Sequence, residues 1–251
     1  MGITFVLLTA AWFGPAAWEK PGQGDAETIV IAAPESAEVG YFVHEREVKS
    51  GFFEPVATSR FVRWPLESGG WHLELETRFL KADLHVSHVE RLEPGRRTLN
   101  WRERRGRTGR SLFLQGSNEL RGWIANGGRT HRIDVPSSTR LPLEWLGSAL
   151  DGEVRPGALQ VFDPLRLASR TVEVVDREGE ARQAWAWKEG GIDRERFQID
   201  EQGLRGFGWR SDSLLARRIS RARFDQYHGR APAPRSAPAS KDPSKPPIPA
   251  R

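Results

Sequence analysis

Six histidines and a scatter of acids are the residues of this chain whose types could do acid–base or metal chemistry. His85 and His88 lie three residues apart in a segment with strand character. Side chains in a strand alternate between faces, so this pair points to opposite sides and cannot share one metal ion. His72 does share a face with Glu74 and Glu76, a pattern that a solvated strand face also produces. Ser68, His72 and Asp83 hold the residue types of a nucleophile, base and acid and could be assembled in space, yet any β-rich protein of this size offers such sets by chance. The chain has no nucleophile elbow, phosphate-binding glycine loop, dinucleotide fingerprint or H-E-x-x-H pair. Its lack of cysteine removes thiolate metal sites, thiol nucleophiles and disulfides. The reading from these residues is no cofactor, no metal and no assigned catalytic group.

What rises above this background is aromatic. Trp71, Trp101, Trp123, Trp185, Trp187 and Trp209 fall on strand-like segments and Trp145 on a helical one. On a shared concave face these seven would be the ligand-binding residues. A shell lined by Trp and Leu could hold an elongated apolar ligand, or its own side chains could fill it solid, and both readings stand.

The elements that must position these residues are mostly strands. Trp71, Leu73, Leu75 and Phe79 alternate with His72, Glu74, Glu76 and Arg78, the pattern of a strand with one face buried and one wet. Similar stretches recur at 28–32, 39–49, 52–64, 84–92, 99–103, 111–115, 120–125 and 130–135, punctuated by Gly, Pro, Asn and Ser. A second series follows at 158–162, 171–175, 184–188, 192–199, 204–210 and 214–219. Between the two series sits one helix, where Leu141, Leu143, Trp145, Leu146 and Leu150 recur near helical spacing. Pro142 suits its first turn, and Gly152 stops it beyond Asp151. A lone amphipathic helix among strands has to bury its face on a sheet, which makes it the plug or lid of a β-shell. A short helix over 221–227 has Ser220 as N-cap and Gly229 as stop. The expected fold is mainly β: a curved antiparallel sheet, half-barrel or barrel-like, with one packed mid-chain helix and a short C-terminal helix.

The organisation expected is a signal-like apolar leader over 1–17, a flexible leader over 18–27, one β-rich domain over 28–229, and a disordered Pro/Ala/Ser/Lys tail over 230–251. The apolar run from Ile3 to Phe13 has the length of a secretion-signal core and falls short of the ~20 residues a transmembrane span needs. A buried N-terminal strand is the alternative. The net charge of +5 comes from 32 Arg and only 6 Lys against 33 acids interspersed with them, a balance that argues against a nucleic-acid partner. Seven Arg fall between Arg96 and Arg110. They read either as an anion-binding edge or, preferably, as charged hairpin tips that protect a sheet edge.

The signal-like leader, long paired strands, short apolar helix, Arg155-Pro156-Gly157 strand start, Asp163-Pro164 turn and strand meander resemble exported bacterial β-rich domains of unknown function. They also resemble half-barrels of the lipoprotein-carrier type, over Val39 to Gln226. The resemblance is architectural. It implies a periplasmic or envelope location and an apolar concave face. The function expected is a non-catalytic binding or assembly module, with an apolar or lipid-like ligand and an envelope protein as partners. A hydrolase or lyase built on the same shell is the alternative.

Overall fold

The computed structural model describes residues 33–49, 51–176, 183–189, 192–200, 203–209 and 214–228. The leader segments, the expected strand at 28–32 and the tail beyond 229 lie outside these residues. In chain order the first series is β1 (Glu38–Lys49), β2 (Phe52–Pro65), β3 (Trp71–Phe79), β4 (Leu84–Glu93), β5 (Arg96–Arg105), β6 (Thr108–Gly116), β7 (Leu120–Asn126) and β8 (Arg129–Val135). A two-residue strand β9 (Thr139–Arg140) and the helix α1 (Pro142–Leu150) follow. The second series is β10 (Gly157–Asp163), β11 (Ala168–Asp176), β12 (Gln183–Glu189), β13 (Ile192–Asp200), β14 (Gly203–Trp209) and β15 (Leu214–Ile219), before α2 (Arg221–Tyr227).

The fifteen strands of the described residues belong to one sheet, ordered β8-β7-β6-β5-β4-β3-β2-β1-β15-β14-β13-β12-β11-β10-β9. Two meanders meet where β1 pairs antiparallel with β15, Tyr41 opposite Ile219 and Arg46 opposite Leu214. The outermost strands β8 and β9 are separated in sequence by Pro136, Ser137 and Ser138 alone, so the sheet curls back on itself and is nearly closed into a barrel. Side chains span the seam between them. Val135, Leu141 and Phe162 join one apolar cluster with Leu99, Trp101, Leu112, Leu114, Leu120 and Ile124. The Arg97 guanidinium donates across the same gap to the Thr139 carbonyl, and on its own side to the Asn118 carbonyl of the β6–β7 turn.

In an antiparallel meander alternate turns share a rim. The β1–β2, β3–β4, β5–β6, β7–β8 and β10–β11 turns therefore form one rim, here the upper, and β2–β3, β4–β5 and β6–β7 lie on the lower.

α1 lies inside the shell with Leu143, Trp145, Leu146, Gly147 and Ala149 all buried, a fuller burial than an amphipathic surface helix shows. Its bounds match those read from the sequence, with Gly152 in the left-handed conformation at φ 73°. The N-cap residue, Leu141, has no side-chain acceptor, and the helix is capped from elsewhere. Glu90 on β4 is fully buried, and its two carboxylate oxygens accept from the Leu143 and Glu144 amides at 2.9 and 2.6 Å. Glu144 reaches back to the Leu141 amide at 3.1 Å. At the other end Asp151, the C-cap residue, accepts from Arg63 at 2.8 Å. Arg63 also grips Glu38 through two nitrogens and stacks over Trp71 at 4.7 Å. A carboxylate at the positive end and a guanidinium at the negative end complement the helix dipole. Glu38 and Arg63 belong to the lower half of β1 and β2, so α1 plugs the lower part of the barrel.

Around α1 the interior is packed by Phe42, Phe61, Leu73, Val161, Val172, Val174, Trp185, Trp187, Phe197, Ile199, Leu204 and Phe207. α2 lies on the outer face of β1, with Phe224 on Tyr41 at 4.9 Å and Ser220 capping the Arg223 amide.

Candidate functional site

Above α1 the packing leaves a cleft of about 350 Å³. Leu143 and Leu146 of α1 form its floor, and Leu75, Trp101, Phe162, Trp187, Phe197 and Phe207 its walls. It opens toward the upper rim at the β10–β11 turn. This turn is built by Asp163, whose side chain accepts from the Leu165 and Arg166 amides, while Leu167 takes a left-handed conformation at φ 57°. The sequence reading of Asp163-Pro164 as a turn thus marks the mouth of the cleft.

Charged groups at the mouth come in pairs. Arg170 is ion-paired with Glu195 and lies 3.8 Å from Asp163, which Arg166 approaches at 3.7 Å. Burial pushes the Glu195 carboxyl above its ordinary range, with Arg170 pulling the other way. The Trp187 indole nitrogen and Arg170 Nε are buried with no hydrogen-bond acceptor among the described residues. His88 also faces the cleft, its Nε2 2.7 Å from Glu90 but out of line for a hydrogen bond.

The sequence-expected tryptophans separate into four groups. Trp101 and Trp187 line the cleft. Trp145 and Trp185 are buried in the solid part of the interior, Trp145 meeting Trp187 edge-on at 4.8 Å, and Trp71 packs against that core under Arg63. Trp123 is on the outer face, tilted against Phe113 at 4.8 Å, because it alternates with the inward Gly122 and Ile124. The common concave face does not include it. Trp209 ends β14, and its side chain lies outside the described residues. The shell is therefore filled around α1 and hollow above it.

The histidines and acids that suggested chemistry stand apart. His85 points outward to Glu76 at 2.8 Å and His88 inward, as the strand period requires. His72 stacks on Trp64 at 3.8 Å on the outer face. The His72 ring and the Arg60 guanidinium hold the Glu74 carboxyl below its usual range, and His85 does the same for Glu76. Ser68, bonded to Glu93, is on the lower rim, and Asp83 is on the upper, so those two and His72 do not converge. Asp83 and His85 line a larger outer groove of about 670 Å³ beneath α2. Arg60–Glu76, His85–Glu76 and Arg221–Asp225 contacts pair part of its charge, while Arg78, Asp83 and Arg104 also line it. Among the described residues no tryptophan lines it.

Several inward polar groups escaped the sequence reading. Glu90 and His88 share a parity with the apolar Val86 and Leu92, and a charge on that parity was the available signal. On β1 to β3, His44 bonds Ser59 at 2.6 Å and Ser59 bonds Thr77 at 2.7 Å. Burial lowers the His44 pKa to about 4, so the ring is neutral at pH 7. Comparison with protein-family models, curated proteins and solved structures finds no match to this chain.

Proposed function

We propose that this protein is a non-catalytic binding module of the cell envelope that holds an amphiphilic, lipid-like ligand in the cleft above α1. The observation that carries the reading is the cleft itself, apolar on its floor and walls and open at one rim. The two orphaned donors, the Trp187 indole and Arg170 Nε, favour a ligand with an oxygen acceptor at one end over a bare hydrocarbon. Arg166 and Arg170 against Asp163 and Glu195 balance the charge at the mouth, so recognition there rests on hydrogen bonding more than on net charge. An envelope protein partner would then receive or supply the ligand. The envelope location rests on the apolar run from Ile3 to Phe13, and intact Met1 on the soluble protein from its native host, read by mass spectrometry, would overturn it.

Contact quenching tests the ligand reading. A long-chain fatty acid brominated along its chain should quench the fluorescence of Trp101 and Trp187 saturably, and a Trp101→Phe, Trp187→Phe variant should lose most of that quenching while staying folded. Absence of saturable quenching in the folded protein would refute the reading.

A further inference from the structure

Every exposed large hydrophobic side chain among the described residues sits at or beside the upper rim. They are Val48, Phe52, Phe53, Leu165 and Leu215. Phe52, at 73% exposure, Phe53 and Val48 form the tip of the β1–β2 hairpin. This hairpin projects, because β15 pairs with β1 only as far as Arg46 and β3 pairs with β2 only from Ala57. Leu165 is on the β10–β11 turn at the mouth of the cleft, and Leu215 pairs with Glu45 beside the hairpin.

The same rim is basic. Lys49, Arg104, Arg105, Arg107 and Arg129 are exposed at its turns and make no ion pair with another described residue. Of its acids, Glu54 is engaged by Lys81, Glu103 by Arg110, Asp163 by Arg166 and Arg170, and Glu47 by the Gly51 amide, which leaves Asp83 beside the β5–β6 turn against the five bases. The arginines that read from sequence as charged hairpin tips protecting a sheet edge thus stand beside an apolar projection.

We propose that the upper rim docks on an anionic lipid bilayer. Phe52, Phe53 and Val48 enter the interface, and the β5–β6 and β7–β8 turns rest their arginines on headgroups. The apolar tip exposes on the order of 300 Å², well short of the roughly 800 Å² per partner of a stable protein interface. A second copy of the chain is therefore a poor fit, whereas a bilayer needs no complementary surface. The basic turns supply charge complementarity to anionic headgroups. Docking in this orientation turns the cleft mouth to the membrane, a consequence that rests on the ligand reading above, while the docking itself does not.

Flotation of the full chain with vesicles tests this. Wild-type protein should float with vesicles of phosphatidylcholine containing phosphatidylglycerol, less with phosphatidylcholine alone, and less as salt is raised. Each basic residue at an anionic surface is worth roughly fivefold in partitioning, so Arg105→Ser with Arg107→Ser should lose roughly 25-fold. Phe52→Ser with Phe53→Ser should lose on the order of tenfold or more on both compositions. All four side chains are exposed, so melting temperatures should match wild type. Fatty-acid quenching in vesicle-free solution should also be unchanged in both variants, which separates a failure of docking from a failure of the cleft. Wild-type protein that stays unbound to anionic vesicles at low salt, or variants that bind as wild type, would overturn the proposal. So would a dimer, seen by ultracentrifugation, that Phe52→Ser with Phe53→Ser dissociates.

Discussion

Replacing Glu90 should uncouple α1 from the barrel wall. Among the described residues its carboxylate is the only side chain that caps the Leu143 and Glu144 amides, and it is fully buried. Hydrogen bonds to a charged group contribute roughly 1.5 to 3 kcal/mol each, so two give about 3 to 6 kcal/mol. Relief of the buried carboxylate's desolvation returns part of this. Glu90→Gln keeps one good acceptor and turns an NH2 toward a backbone N–H, for an expected loss of about 2 to 3 kcal/mol. Glu90→Ala, which leaves both amides and His88 without the carboxylate, should lose about 3 to 5 kcal/mol. Urea unfolding at pH 7.5, followed by circular dichroism, measures both values. Hydrogen exchange adds a local readout: under native conditions the Leu143 and Glu144 amides should exchange faster in Glu90→Gln, while the core amides of β5 and β6 slow or hold once corrected for global stability. A Glu90→Gln protein within about 0.5 kcal/mol of wild type, with those two amides still protected, would refute the remote cap.

His44 should make stability depend on pH above the carboxylate range. Its folded pKa of about 4 lies below the unfolded 6.5, so the unfolded state binds more protons between them. The contribution is fully present above pH 6.5 and is lost as pH falls toward 4. About 2 kcal/mol should disappear between pH 7.5 and 5.0, and His44→Gln should flatten that slope in parallel urea titrations; equal slopes would show that His44 is not the cause. Trp145→Ala removes a buried ring that touches Trp187 and Phe197 and should cost roughly 3 to 5 kcal/mol. A loss below about 1 kcal/mol would mean that α1 is a mobile lid rather than a plug.

The features legible in the sequence are those with local causes. Alternation from Trp71 to Phe79 sorts inward from outward side chains because the side-chain period of a strand is two wherever it lies, but the outward His72 is buried against Trp64 where the alternation predicts a wet face. Pro142 and Gly152 bound α1 because the first turn tolerates a missing N–H and the stop needs a left-handed residue. Asp163-Pro164 makes its turn through the Asp163 side chain and its own neighbours. The two-residue β9 was missed, since its single parallel pairing with β10 leaves no period to detect.

What only the tertiary structure decided are the relations between distant segments. The pairing of β1 with β15 converts two meanders into one nearly closed wall, and no local pattern in either strand names the other. Leu141 reads as a poor cap, and the group that replaces its function is on β4, brought there by closure of the wall. Trp123 looked equivalent to Trp101, yet parity relative to the neighbouring strands sends one outward and one into the cleft. The cleft exists because α1 is nine residues long and fills only the lower part of a taller barrel. Periodicity fixes which residues share a face of their own strand, but inside and outside are properties of a closed surface, and that surface is set by hydrogen-bond register between strands far apart in the chain.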